Sequence, residues 1–146
     1  MSETNLNARK KARTIAMQSL YQWAMSSAEL HTIEMQYIEH NEPAKIDLDY
    51  FRDLLYGVPK CLDEIDPLIK QYIDRDINDL NPVELAVMRL ATYELLKRLD
   101  VPYKVVINES LSLAKKFGST SGHKYVNGIL DKIAKKIRID EINSHS

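Results

Sequence analysis

Cysteine and glycine are nearly missing from this chain of 146 residues, which holds one cysteine and four glycines. A single cysteine, Cys61, rules out a disulfide framework within the chain. The glycines, at positions 57, 118, 122 and 128, are too scattered to form a phosphate-cradling loop. With only five prolines beside them, they leave little of the turn chemistry a many-stranded β protein needs. No apolar run reaches the roughly 18 residues of a membrane span, and the first residues lack the apolar core of a secretory signal. The expected compartment is therefore the cytoplasm, with no membrane partner. The four histidines, at 31, 40, 123 and 145, are nowhere paired at i, i+4, and no His and Cys cluster has ligand spacing. No metal or other cofactor is expected. Cys61 and Ser121 have no evident base beside them, so catalysis is not expected either.

Net charge is also small, at −1, but it is unevenly placed. Residues 1–25 carry four basic and one acidic side chain, a net +3. Residues 26–81 carry five basic and thirteen acidic, a net −8, and residues 82–146 carry eleven basic and seven acidic, a net +4. The densest cluster is Arg9-Lys10-Lys11-Ala12-Arg13. Four cations within five residues of a nearly neutral chain point to a polyanion, because each phosphate neutralised releases a condensed counterion. The acidic middle points to a second surface for a basic partner.

Hydrophobic spacing predicts helices throughout. The first runs from about Asn7 to Ser26, with Ala12, Ala16, Leu20 and Trp23 on one stripe. Arg9 and Arg13, four residues apart, share a face and are expected to project from this rigid base. A second helix covers Glu29 to His40, ending before Pro43. A third starts at Asp47 or Asp49, breaks after Gly57 because of Pro59, and resumes from Leu62. Asn81-Pro82-Val83-Glu84 is a strong start signal for a helix to Leu99 that is apolar nearly all round, and so central. Another helix runs from Asp100-Val101-Pro102 to Phe117, with Gly118 as a left-handed terminator. Ser119 to Gly122 reads as the loosest loop, and the last helix runs from His123 to Arg138. The expectation is an all-α fold of six or seven helices forming a single compact domain over residues 1–146, with flexible ends at about 1–6 and 140–146.

Several strings in order then resemble one known family. They are Tyr50-Phe51-Arg52-Asp53-Leu54-Leu55, Val101-Pro102-Tyr103-Lys104-Val105-Val106-Ile107-Asn108-Glu109, Leu113-Ala114-Lys115-Lys116-Phe117-Gly118 and His123-Lys124-Tyr125-Val126-Asn127-Gly128-Ile129-Leu130-Asp131. Over residues 8 to 139 the chain closely resembles the NusB family of bacterial transcription antitermination factors. The resemblance implies a helical fold in two subdomains and a non-catalytic role. It implies binding of single-stranded boxA RNA of ribosomal operon leaders, jointly with NusE, a small-subunit ribosomal protein in its free form. The complex would join the elongating RNA polymerase and suppress termination. The family's arginine-rich arm that contacts RNA corresponds here to Arg9, Lys10, Lys11 and Arg13. Lysine stands at two of these places, which keeps charge but loses the bidentate phosphate fork.

Tyr21 resembles the family tyrosine at the RNA-facing end of the first helix, and core packing beside Leu20 is the competing reading. Tyr125 matches an aromatic position near the RNA surface, where a ring stacks on an unpaired base. Lys124 is a phosphate contact or simply part of a solvated face. Glu84 resembles the family glutamate at the NusE surface, and it is also a helix-start residue. Ser121 falls where the family often has an acid, so a contact there is in doubt. Asn127 and Gly128 read as structural, letting the last helix pack closely. Two other functions stay open at this point: the helical domain that precedes the catalytic domain of some RNA cytosine methyltransferases, and a helix-turn-helix DNA-binding regulator.

Overall fold

A computed structural model describes residues 3–144. Those residues form eight α-helices and two 3-10 turns, with no strand among them. The helices are α1 (Glu3–Met25), α2 (Leu30–Glu39), α3 (Leu48–Lys60), α4 (Leu62–Lys70), α5 (Pro82–Lys97), α6 (Tyr103–Phe117), α7 (Gly122–Ile137) and α8 (Ile139–Ser144). The all-α expectation holds, with one helix more than the six or seven expected. Helix α1 starts four residues ahead of Asn7, and α8 occupies part of the expected tail. Of the two ends expected to be flexible, residues 1, 2, 145 and 146 lie outside the described residues.

The chain divides into two compact units, Met1–Lys60 and Cys61–Ser146. In the first, α1 packs on α2 and α3. Its buried side chains are Ala12, Ile15, Ala16, Met17 and Leu20 of α1, Ile33 of α2, and Tyr50, Phe51, Leu54, Leu55 and Val58 of α3. The stripe read from the sequence is therefore the buried one, although Trp23 stays half exposed. Helices α2 and α3 are tied by buried Glu34. Its carboxylate accepts from Arg52 Nε at 2.8 Å and from the Tyr56 hydroxyl at 2.5 Å. Burial pushes the Glu34 carboxyl up, but Tyr56, Arg52 and His31 outweigh it and leave it below its ordinary value. The same hydrogen bond pushes the Tyr56 hydroxyl up to about 12.

Pro59 does not break α3 after Gly57. It sits in the last turn, where only one ladder bond is lost, and the helix runs on to Lys60. The break comes at Cys61, whose carbonyl accepts from Glu64 and Ile65 N–H at 2.9 Å each and so opens α4.

In the second unit α5 is the central helix, packed against α4, α6 and α7. Ala86, Val87, Met88, Leu90, Ala91, Tyr93 and Leu95 are all buried, as an all-round apolar helix requires. The start signal acts as read: Asn81 Oδ1 accepts from Val83 N at 2.9 Å and Glu84 N at 3.2 Å, and Pro82 opens the helix. The helix stops at Lys97, and Leu99 lies out in solvent. Arg89 joins α5 to α4 through a two-pronged pair with Asp66, at 3.0 and 2.9 Å.

Arg138, just past α7, is the strongest polar tie of this unit. It is buried, and its five N–H donors reach the carbonyls of Leu95, Val101, Glu94 and Arg98 and the carboxylate of Glu141. Those carbonyls belong to the end of α5 and the turn after it, where the helical ladder runs out; the Glu94 carbonyl also accepts from Arg98 N at 2.9 Å and the Arg98 carbonyl from Val101 N at 3.0 Å. Glu141, on α8, also accepts from Tyr103 N at 3.0 Å at the start of α6.

Candidate nucleic-acid interface

The basic start of α1 is split in two by helical phase. Arg9 and Arg13 do share a face, but it is the inward one. The series 9, 13, 16, 20 steps by 4, 3 and 4, which carries the apolar stripe of Ala16 and Leu20 back to the arginines. Arg13 is only 4% exposed. The guanidinium of Arg9 lies 4.2 Å from the centre of the Tyr50 ring, and that of Arg13 lies 5.4 Å from it. Arg9 Nε is also 3.5 Å from Asp47 Oδ2, an ion pair too long for a hydrogen bond. Asp47 is itself fixed, its N–H donating to the carbonyl of Ala8 at 3.1 Å. The expected arm of four projecting cations is thus corrected: Lys10 and Lys11 are exposed, while Arg9 and Arg13 fasten α1 to α3. Asn7, Ala8, Lys11, Ala44 and Lys45 line a shallow groove of about 280 Å³ beside the exposed lysines. Further along α1, Tyr21 is 36% exposed, so its ring is not part of the core.

In the second unit, Lys124 and Tyr125 occupy the first turns of α7. Lys124 is exposed and Tyr125 half-buried. The Tyr125 hydroxyl donates to Asp74 Oδ1 at 2.9 Å, and the Arg75 guanidinium lies 4.9 Å from the ring centre. Arg75 in turn grips both oxygens of Asp74, at 2.8 and 3.3 Å. The Arg75 and Tyr125 hydrogen bonds hold the Asp74 carboxyl down at about 2. Burial and the bond to Asp74 raise the Tyr125 hydroxyl above its ordinary value. The ring is therefore fixed in place, with its charge environment set by Asp74 and Arg75. Neither Asp74 nor Arg75 carries a sequence signal for this role. They lie about 50 residues from Tyr125, and nothing local connects them.

The turn before α7 is not loose. Buried Glu84, 6% exposed, reaches into it, and its Oε2 accepts from both the N–H and the hydroxyl of Ser119 at 2.8 Å. Gly118 is not left-handed; its φ is −88° and its ψ −169°. Its role is space: a Cβ there would stand 2.7 Å from the Ala114 carbonyl and 2.8 Å from the Glu84 carboxylate. A Cβ on Gly122 would collide with the same carboxylate. Of the two roles expected of Glu84, it holds its place in the first turn of α5, but its carboxylate turns inward to Ser119 rather than out to a partner surface. Ser121 precedes α7 and caps it with no side-chain hydrogen bond.

Gly128 is likewise not a packing glycine. It is exposed in mid-helix, and a Cβ there would meet nothing within 4 Å; Asn127 beside it is exposed as well. Gly128 instead helps line a cleft of about 310 Å³ with Tyr72, Asp74, Lys124, Tyr125, Ile129 and Lys132. Exposed lysines and an aromatic ring at one cleft suit a phosphodiester strand and its bases. Among the described residues no group of His, Cys, Asp and Glu could hold a metal ion, and no helix is long and apolar enough to cross a membrane.

Comparison with known proteins places the chain in a family. The family model described as the NusB family matches residues 10–135. The transcription antitermination protein NusB of Pseudomonas fluorescens is 53% identical over 136 residues, covering 93% of this chain and 82% of that protein. The solved structure of T. maritima NusB superposes with a TM-score of 0.77 at 35% identity, covering 87% of this chain and 90% of that one. A crystal structure of the antitermination factors NusB and NusE in complex with double-stranded RNA gives a TM-score of 0.78 at 26% identity. It covers 93% of this chain and 99% of that one.

Proposed function

The chain belongs to the NusB family of transcription antitermination factors, which are not enzymes, and we propose that it acts by binding boxA RNA of ribosomal operon leaders together with NusE. The pair would then join the elongating RNA polymerase in the cytoplasm. The observation that carries this reading is the match to a solved NusB that is held with NusE and RNA, covering nearly the whole of both chains. In this chain Lys10 and Lys11 meet phosphates from α1, with Tyr21 on the same helix. Lys124 and Tyr125 meet the strand from α7. Arg9 and Arg13 serve the arm by anchoring it on Tyr50. Glu84 serves by fixing the turn that leads into α7.

The test is binding of a labelled boxA RNA, with and without NusE, across a salt series. The expected result is a logarithmic affinity that falls linearly with the logarithm of salt, and a tighter complex when NusE is present. Duplex DNA binding as tightly as boxA RNA would overturn the assignment in favour of a DNA-binding regulator. Binding of adenosylmethionine, measured by calorimetry, would instead favour the methyltransferase relationship.

A further inference from the structure

Gly128 has no packing reason to be glycine. It lies in the body of a sixteen-residue helix, where glycine is less stable than alanine because it leaves more backbone freedom to lose. Its surroundings are open, so no neighbour forbids a side chain. Close approach of something outside the chain remains as the reason. The residues around it say what would approach. Lys124, Gly128 and Lys132 form one i, i+4, i+8 row, with the glycine as a gap about 6 Å along the axis from each lysine. Both lysines are exposed, and no ion pair among the described residues engages either. Tyr125 and Tyr72 line the same cleft. Its one acid, Asp74, has both oxygens gripped by Arg75, so its charge is already met.

We infer that Gly128 is the seat of an RNA phosphodiester, a bare stretch of helix on which the strand rests while Lys124 and Lys132 grip phosphates on either side. The inference rests on the RNA-binding reading and adds Gly128, Lys132 and Tyr72 to the surface. The helix N–H groups here are committed to the helical ladder, so the lysines supply the charge and the glycine supplies only room. A lysine row with a bulky side chain at its centre would hold the strand away from the ring of Tyr125.

The experiment compares Gly128→Ala, Gly128→Leu and Lys132→Ala with the unmodified chain, using labelled boxA RNA and thermal unfolding. The seat predicts effects of opposite sign. Gly128→Ala raises Tm by about 3 °C while weakening RNA binding. Gly128→Leu weakens binding by about tenfold or more with the helical circular dichroism unchanged. Lys132→Ala lowers the slope of log affinity against log salt by about 1. Should the leucine variant fail to fold, the other two carry the test. RNA affinity unchanged in the glycine variants, or a Tm lowered by alanine, overturns the seat while leaving the RNA-binding reading intact. So does a loss confined to NusE binding, since the cleft would then belong to a protein partner. An unmodified chain without affinity for boxA RNA removes the reading and the seat together.

Discussion

The start of α1 and the length of α7 are the two basic stretches of this molecule, and they use their charge differently. In α1 the arginines turn inward onto Tyr50 and Asp47, leaving Lys10 and Lys11 outside. Along α7 the lysines at 124, 132, 135 and 136 all face solvent, and the single arginine, Arg138, is buried just past its end. In both places arginine holds the fold and lysine meets the solvent. The chemistry explains the division. A guanidinium presents five donors in a rigid plane and is weakly hydrated, so it can be buried among carbonyls or over a ring. An ammonium is compact and strongly hydrated, and stays out. Charge density along a sequence is therefore a poor measure of the charge a surface presents.

Substitutions can sharpen or break this contrast, and the largest effect belongs to Arg138. Arg138→Ala removes all five bonds at once, including those to the Leu95 and Val101 carbonyls, and is expected to destabilise by roughly 3 kcal/mol or more in urea unfolding. A loss below about 1 kcal/mol would show that water replaces the guanidinium freely. Arg13→Ala comes next, at about 2 kcal/mol, through lost packing and ring contact. Lys11→Ala should stay within about 0.5 kcal/mol of the unmodified chain in the same assay. Equal losses at 11 and 13 would erase the division between anchoring and presented cations.

The double change of Lys10 and Lys11 to Ala should leave Tm nearly unmoved. It should reduce the salt slope of RNA binding by about 2. A slope unchanged by this pair would move the phosphate contacts of α1 elsewhere. The smallest effect concerns acid stability in the first unit. Folding lowers the Glu34 carboxyl, so its contribution is complete above about pH 4.5 and disappears as pH falls through the lowered value. Glu34→Gln should flatten the acid limb of the stability curve there, and an unaltered limb would show that the Tyr56 and Arg52 bonds do not favour the charged form.

The helices were legible because their signals are local. The asparagine cap and Pro82 gave the start of α5, and the apolar periods gave the buried faces of α1, α3 and α7. The inward turn of Arg9 and Arg13 was also written in the sequence, since both stand in phase with Ala16 and Leu20. Other features were out of reach of any local pattern. Ser119 meets Glu84 across 35 residues, and Tyr125 meets Asp74 across 51. Gly118 looked like a left-handed terminator because that is the common use of glycine after a helix. Its cause lies instead in a carboxylate from another helix. Helix α8 carries too short a pattern to announce itself, and is held by what Arg138 and Glu141 do.

The way Arg138 is held bears on how this protein can be handled and cut. Five bonds from one side chain make the last turn of α7 a keystone for strands of chain more than forty residues earlier. A protease nick or deletion that removes Arg138 would release the far end of the central helix as well as the tail, whereas trimming that stops after Glu141 would spare the joint.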